Sequence, residues 1–308
     1  MKSTTVRRIT LSVAAATALT GVAACGSGSS SSSSGKSSGA AGQSVVQASP
    51  IAALRTAETS SDQADSARIE TTISMGAQLS AKSSGALSWG HGVTGTQTIA
   101  FTGGSSPVAE SMRRAGATAV EARYLSDAFY VRMPAVLAGQ AGGKHWARYG
   151  YADIARLGGA SGAVFKDQVQ NNTPNRSLKL LLASGDVKKV GEATVRGQHT
   201  THYAGTVSVA DLATRTSHLP QAELDRMKQQ LAKSGVTTET VDVWVNDQNL
   251  LVKKVEKAGI VATTVYFSDY GVKVSVVRPA ASDTFDALQQ LRKGTSANTA
   301  TGGAGVAS

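Results

Sequence analysis

The 308-residue sequence contains a single cysteine, Cys25, and only 5% aromatic residues. One cysteine excludes a disulfide within the chain and a metal cluster held by several thiolates. Basic residues are scattered and few aromatic residues lie between them, which argues against a nucleic-acid-binding surface. The uncharged run Ile9 to Ala24 is shorter than the roughly 20 apolar residues that a membrane-spanning helix needs.

Motifs of common hydrolases and metalloenzymes are also missing. Neither a Gly-x-Ser-x-Gly elbow nor a His-Glu-x-x-His motif occurs. His199 and His202 are three residues apart on a predicted strand, which places them on opposite faces and argues against a shared metal ion. Asp242, Asp247 and Asp269 flank predicted strand ends, where Asp commonly bonds turn N–H groups. We therefore expect no catalytic residues, no metal site and no cofactor, and predict that the protein is not an enzyme.

The start of the chain has the features of an export signal. Lys2, Arg7 and Arg8 precede the uncharged run, the basic-then-apolar order of a secretory signal peptide. Val22-Ala23-Ala24-Cys25 then resembles the lipobox of bacterial lipoproteins. This resemblance implies that residues 1–24 are a lipoprotein signal peptide, that the chain is cut before Cys25, and that the Cys25 sulfur carries a lipid. The alternative is an ordinary secretory signal with an incidental cysteine.

Three further segments follow from composition. Residues 25–43 hold the cysteine and a Ser/Gly-rich stretch, which predicts a flexible tether with a reach of roughly 25 Å. Residues 288–308 are rich in Gly, Ala, Ser and Thr and predict a disordered tail. Residues 44–287 predict one folded domain. Without the three basic residues of the signal, 28 of the 31 Lys and Arg remain against 21 Asp and Glu, which favours anionic headgroups or wall polymers near the anchor.

Residues 44–287 mostly alternate between apolar and polar side chains, as strands with one buried face do. The clearest runs are RIETTISM from Arg68, ETVDVWVN from Glu239, IVATTVYFS from Ile260 and GVKVSVV from Gly271. Helical patterns occur at Pro50–Ser60, Asn175–Ala183 and Pro220–Lys233, as insertions rather than in regular βαβ alternation. Short turns between consecutive strands indicate antiparallel pairing. The predicted class is therefore α+β, with one large antiparallel sheet.

Three runs in the last third of the chain carry a family resemblance. VRGQHTTHYAGTVSVADL contains Gly197, Thr200 and Tyr203, VDVWVNDQNLLVKKVE contains Trp244 before a turn, and VYFSDYGVKVSVVRPAASD contains Asp269-Tyr270-Gly271. In this order the runs resemble the LppX/LprG-type lipoproteins of actinobacteria, relatives of the LolA/LolB carriers and of the RseB sensor domain. The resemblance extends over residues 48–285.

This resemblance implies a strongly curved antiparallel sheet, a half-barrel, with helices covering its concave face and acyl chains held between them. The implied protein is a lipoprotein on the outer face of the cell membrane that binds or transfers lipid or another hydrophobic ligand. The alternative is a membrane-anchored sensor or scaffold that binds an envelope protein and transports nothing. Strand alternation selects these candidates for the cavity wall: Ile69, Ile73, Ile99, Phe101, Val243, Val245, Val265 and Phe267.

Overall fold

The computed structural model describes residues 49–157, 173–208 and 237–290, with isolated residues at 166, 169, 170, 225 and 229 between them. Cys25, the tether, residues 291–308 of the predicted tail and the helix predicted at Pro220–Lys233 lie outside the ranges described in full. Residues 288–290, the start of the predicted tail, are helical. The described strands are β1 (Ser66–Met75), β2 (Ser80–Ser88), β3 (Thr94–Gly103), β4 (Ala119–Tyr124), β5 (Ala128–Arg132), β6 (Trp146–Gly150), β7 (Lys188–Val195), β8 (Gln198–Ser208), β9 (Thr238–Asn246), β10 (Leu251–Ala258), β11 (Val261–Ser268) and β12 (Thr284–Asp286).

Capping residues, prolines and a glycine mark the ends of several described helices. They are α1 (Pro50–Gln63), α2 (Pro107–Arg114), α3 (Ala135–Gln140), α4 (Tyr151–Leu157) and α5 (Pro174–Ser184). The hydroxyls of Ser49 and Ser106 accept backbone N–H groups at the starts of α1 and α2, and each of these helices has proline in its first turn. Gly185 adopts a left-handed conformation with φ of 64° and ends α5.

All twelve strands form one sheet, in the order β12-β6-β5-β4-β3-β2-β1-β11-β10-β9-β8-β7. Most neighbours in this order are also neighbours in sequence. Short turns join many of them and favour antiparallel pairs, whereas longer connections join β3 to β4, β5 to β6 and β8 to β9. The first strand, β1, therefore lies in the middle, where it pairs with both β2 and β11. Only the short β12, which runs parallel to β6, departs from antiparallel pairing among the described strands. The predicted fold class is confirmed.

Helices α1 and α5 pack on one face of this sheet, which we call the inner face. Leu54 and Ala57 of α1 and Leu178 and Leu181 of α5 are fully buried there. They share one hydrophobic cluster with side chains of β1, β2, β8, β9, β10 and β11: Ala67, Ile69, Leu87, Tyr203, Val207, Val241, Val243, Val245, Leu251, Val265 and Phe267. Burial of this cluster anchors the two helices to the sheet.

Residues 271–280 cross the opposite face, which we call the back face. Gly271 donates its N–H to the Ser66 carbonyl oxygen at 3.0 Å, and farther along Arg123 donates to the Val277 carbonyl oxygen at 2.9 Å. Arg278 then pairs with Asp127 at 2.7 Å. The strand predicted at Gly271–Val277 is therefore wrong. Its alternating exposure arises because the segment lies flat on the sheet, without a strand partner in the described part of the chain.

Candidate ligand-binding face

The structure places all eight cavity-wall candidates on the inner face. Residues directly opposite each other on paired strands point to the same side of a sheet. Ile69 lies opposite Phe267, and Ile73 lies opposite Ala81, which in turn lies opposite Phe101. The same register connects Val265 through Lys254 to Val243.

The eight candidates divide into two groups with different surroundings. Five of them, Ile69, Val243, Val245, Val265 and Phe267, are at most 6% exposed and belong to the cluster under α1 and α5. These five fill a packed core. The other three, Ile73, Ile99 and Phe101, are partly exposed and lie outside that cluster. Of the eight, these three have the largest accessible surface to offer an apolar ligand.

The three partly exposed residues lie on the strands beside β2, and we call the inner-face strip along β2 the β2 trough. Its floor is formed by the small inner-face residues of β2, Ala81, Ser83 and Gly85. One bank is formed by residues of β1 opposite the floor, namely Ile69, Thr71 and Ile73. The other bank is formed by residues of β3: Gln97, Ile99 and Phe101. From Gly85 to Ala81 the floor extends for about 13 Å.

At Gly85 the floor of the trough has no side chain, because the neighbouring strand approaches too closely. A Cβ atom at Gly85 would collide with the Thr96 carbonyl oxygen, so this position accepts no larger residue without a backbone shift. Beside it, the Gln97 side chain is 8% exposed on the inner face and makes no hydrogen bond to another described residue. The trough thus combines apolar banks with one amide that can donate and accept.

A buried charged network lies under the first turn of α5. Lys254 Nζ lies 3.3 Å from a Glu256 carboxylate oxygen, and the Ser177 hydroxyl donates to the same carboxylate at 2.5 Å. Arg176 lies 3.9 Å from Glu256 and 4.0 Å from Glu239. Two cations therefore face two carboxylates, and the charges within this network can balance. The network fixes the start of α5 over β9 and β10.

The two carboxylates of this network differ in their pKa. Burial and the neighbouring charge of Glu256 raise the pKa of Glu239 above its usual range. Burial alone would raise the pKa of Glu256 too, but Lys254, Arg176 and the Ser177 hydroxyl outweigh it and hold that pKa below its usual value.

Three of the four described histidines pair with acids rather than with each other. His202 Nε2 lies 2.7 Å from Asp242 and its ring stacks on Trp244 at 4.1 Å. His199 Nδ1 lies 2.9 Å from Asp247, which raises the pKa of the imidazole. In the part of the chain that the structure describes, no cluster of three His, Cys, Asp or Glu residues could hold a metal ion. His145 Nδ1 lies 2.7 Å from Asp283, a partner 138 positions away that spacing alone cannot reveal.

A cavity of about 270 Å³ lies at the end of the sheet where β8, β10 and the back-face segment begin. Asn246 and Tyr270 line it, but both already have partners. The Asn246 side-chain nitrogen donates to Gln198 at 2.8 Å, and the Tyr270 hydroxyl donates to the Leu251 carbonyl oxygen at 2.7 Å. Phe267 is the one cavity-wall candidate in its lining. These contacts stabilise the strand ends.

The geometry defines an α+β protein whose open antiparallel sheet has one apolar, helix-covered face. Sequence comparison then places it among known proteins. A 31.2 kDa protein encoded in the rplA–rplJ intergenic region of Streptomyces griseus is 49% identical over 255 residues, which cover 81% of this chain and 83% of that protein. A predicted lipoprotein of Streptomyces coelicolor is 44% identical over 308 residues, covering 94% of this chain and 98% of the relative.

The chain belongs to the family of these two Streptomyces proteins. The relationship to the Streptomyces coelicolor lipoprotein supports the recognition of an actinobacterial lipoprotein from the sequence. No protein-family profile matches the chain. Among solved structures, LppX of Mycobacterium tuberculosis has 11% identity and a TM-score of 0.47, covering 75% of this chain and 100% of that one. LprF of Mycobacterium bovis has 14% identity and a TM-score of 0.45, covering 75% and 97%.

Proposed function

We propose that the protein is a lipid-anchored carrier that binds an acyl chain in the β2 trough. The observation that carries this proposal is the register of β1, β2 and β3, which aligns three small floor residues between two banks containing Ile73, Ile99 and Phe101. A floor of small side chains leaves a concave, mainly apolar strip, the usual shape and chemistry of a site for hydrophobic ligands.

Transfer of hydrocarbon from water is a sufficient driving force for such binding. Each buried methylene contributes about 0.8 kcal/mol. A chain segment of about eight methylenes would therefore contribute about 6 kcal/mol before the cost of ordering it. No catalytic group is needed, because loading and unloading are partition steps. Cys25 would hold the carrier to the extracytoplasmic face of the membrane, and the Ser/Gly-rich tether would let the domain move relative to its anchor.

A matched pair of substitutions tests the trough. Ser83 is partly buried on its floor, whereas the adjacent Ser84 is exposed on the back face. We expect Ser83→Phe to fill the trough and reduce the lipid that co-purifies with the protein at least tenfold. Ser84→Phe makes the same chemical change on the other side of the strand and should leave lipid content unchanged.

Native mass spectrometry of the protein purified from its own kind of cell, followed by lipid extraction, measures both variants. The same preparation reports whether the peptide that begins at Cys25 has the mass of a lipidated cysteine. Unmodified protein without any lipid adduct and without uptake of added phospholipid would contradict the carrier and favour the sensor or scaffold. Equal lipid loss in both serine variants would contradict the location in the trough.

A further inference from the structure

We call one end of the sheet the rim. The β1–β2 turn (75–79), the α2 connection (104–118), the α3 connection (133–145) and the β10–β11 turn (259–260) all lie there, because antiparallel neighbours alternate their direction. The N–H groups of Ser105 and Ser106 bond the carbonyl oxygens of Ala77 and Gln78 at 3.1 and 2.8 Å, which ties α2 to the first of these turns.

The rim also carries most of the exposed large apolar side chains of the described chain. The described chain has four such residues: Val136, Val190, Ile260 and Val277. Val136 on α3 is 62% exposed and Ile260 in the β10–β11 turn is 53% exposed, so both present apolar tips at the rim. Val190, 58% exposed, lies near the rim end of β7. Only Val277, on the back-face segment, lies away from it.

Among the described charged side chains at the rim that form no ion pair, most are positive. Its described acidic side chains have local partners: Glu110 pairs with Arg114 at 2.7 Å, Asp186 pairs with Lys188 at 3.2 Å, and Asp283 accepts the backbone N–H of His145 at 2.9 Å. Arg113 on α2 and Lys257 at the end of β10 are exposed, and neither forms an ion pair with a described carboxylate. Apolar tips next to unpaired cations are the composition of surfaces that rest on anionic bilayers.

The β2 trough ends at this rim. Ile73 and Phe101 are its outermost bank residues, each two positions from the end of its strand at Met75 and Gly103. Resting on the function proposed above, we propose that the rim is a docking surface for an anionic lipid membrane, with Val136 and Ile260 entering the headgroup layer and Arg113 and Lys257 facing lipid phosphates. In this orientation an acyl chain passes from the bilayer into the trough without crossing open water.

Two double variants with the same charge change test this surface. Lys257→Glu with Ile260→Asp alters the rim, and Lys273→Glu with Val277→Asp alters the back-face segment, where Lys273 and Val277 are also exposed. The chain from residue 25 with Cys25→Ser serves as the parent, so that no lipid anchor contributes. Flotation with vesicles of phosphatidylglycerol and phosphatidylcholine, at low and at high salt, measures binding.

We expect the parent to bind the anionic vesicles and to lose binding in high salt and on pure phosphatidylcholine. The rim variant should bind at least tenfold more weakly, and the back-face variant within about twofold of the parent. Absence of parental binding, or an equal loss in both variants, would overturn the docking surface. If the true partner is a wall polymer or a protein, the parent should not bind the vesicles.

Loading with detergent-dispersed lipid separates this inference from the function on which it rests. The rim variant should load lipid as well as the parent, because its trough is intact. Ser83→Phe should bind vesicles like the parent and carry no lipid. If vesicle binding fails and loading persists, only the docking surface is wrong, whereas failure of loading with intact vesicle binding rejects the trough.

Discussion

The two halves of the inner face are built from the same kind of alternating strand and differ in the described helices that pack on them. Over β8 to β11, α1 and α5 bring leucines into contact with Val243, Val265 and Phe267, and the space is filled. Over β2, small floor residues leave Ile99 and Phe101 partly exposed. Alternation therefore determines which side chains face inward, but the helices above determine whether those side chains form a core or a site.

The largest expected effect comes from removing a leucine from the filled half. Leu181 of α5 is fully buried. Leu181→Ala should lower the free energy of unfolding by about 3–5 kcal/mol, because it removes buried methyl groups and leaves a cavity. Urea denaturation followed by circular dichroism measures it.

Ile99→Ala is the matched change in the other half. Because Ile99 is already partly exposed, this change should cost about 1 kcal/mol of unfolding free energy and should reduce bound lipid more than Leu181→Ala does. Equal losses of stability in the two variants would mean that the β2 trough is packed like the core.

A smaller effect is expected from the buried charges, and its sign differs between the two carboxylates. Glu256→Gln should lower the free energy of unfolding at pH 7 by about 2 kcal/mol, because Lys254 and Ser177 lose a charged partner. Since the folded-state pKa of Glu256 is lowered, its contribution is present above the usual glutamate pKa and disappears as the pH falls through the folded value.

Glu239→Gln should act in the opposite direction. Its folded-state pKa is raised, so folding favours the protonated form, and stability is lost as the pH rises through that value. The glutamine variant should therefore gain stability over the parent at pH 7 to 8 and match it in acid. Thermal unfolding across pH 4 to 8 measures both variants, and a gain for Glu256→Gln at pH 7 would contradict the assignment.

Several of these features could be predicted from the sequence, and others could not. The period-two pattern predicted the antiparallel sheet and the inward face of strands such as β9, because a buried face demands alternation. β2 (SAKSSGALS) escaped prediction because its small and polar residues give no apolar period. The same small residues form the floor of the trough.

Pairings across large sequence separations could not be predicted from the sequence either. The bond between His145 and Asp283, and the placement of residues 271–280 on the back face, depend on which strands become neighbours. The division of the eight wall candidates into buried and accessible groups depends on where α1 and α5 lie. None of these is encoded in a local period.

The smallest expected effect concerns the back of the filled half. Arg196, in the β7–β8 turn, donates two hydrogen bonds to Glu70, each 2.7 Å long, and its guanidinium stacks on Tyr266 at 4.1 Å. Both side chains of the ion pair are well exposed, so solvent screening limits the pair to less than about 1 kcal/mol. Arg196→Lys keeps the charge but loses the planar fork, and we expect it to lower the unfolding free energy by about 0.5 kcal/mol at pH 7.

The pH dependence identifies the source of that loss. The hydrogen bonds from Arg196 lower the pKa of Glu70, so the stability they provide is present above the usual glutamate pKa and is lost as the pH falls through the lowered value. The difference between Arg196→Lys and the parent should therefore shrink in acid. A difference that persists at pH 3 would assign the effect to the stacking on Tyr266 instead, and the hairpin would then be held to the back face by packing rather than by charge.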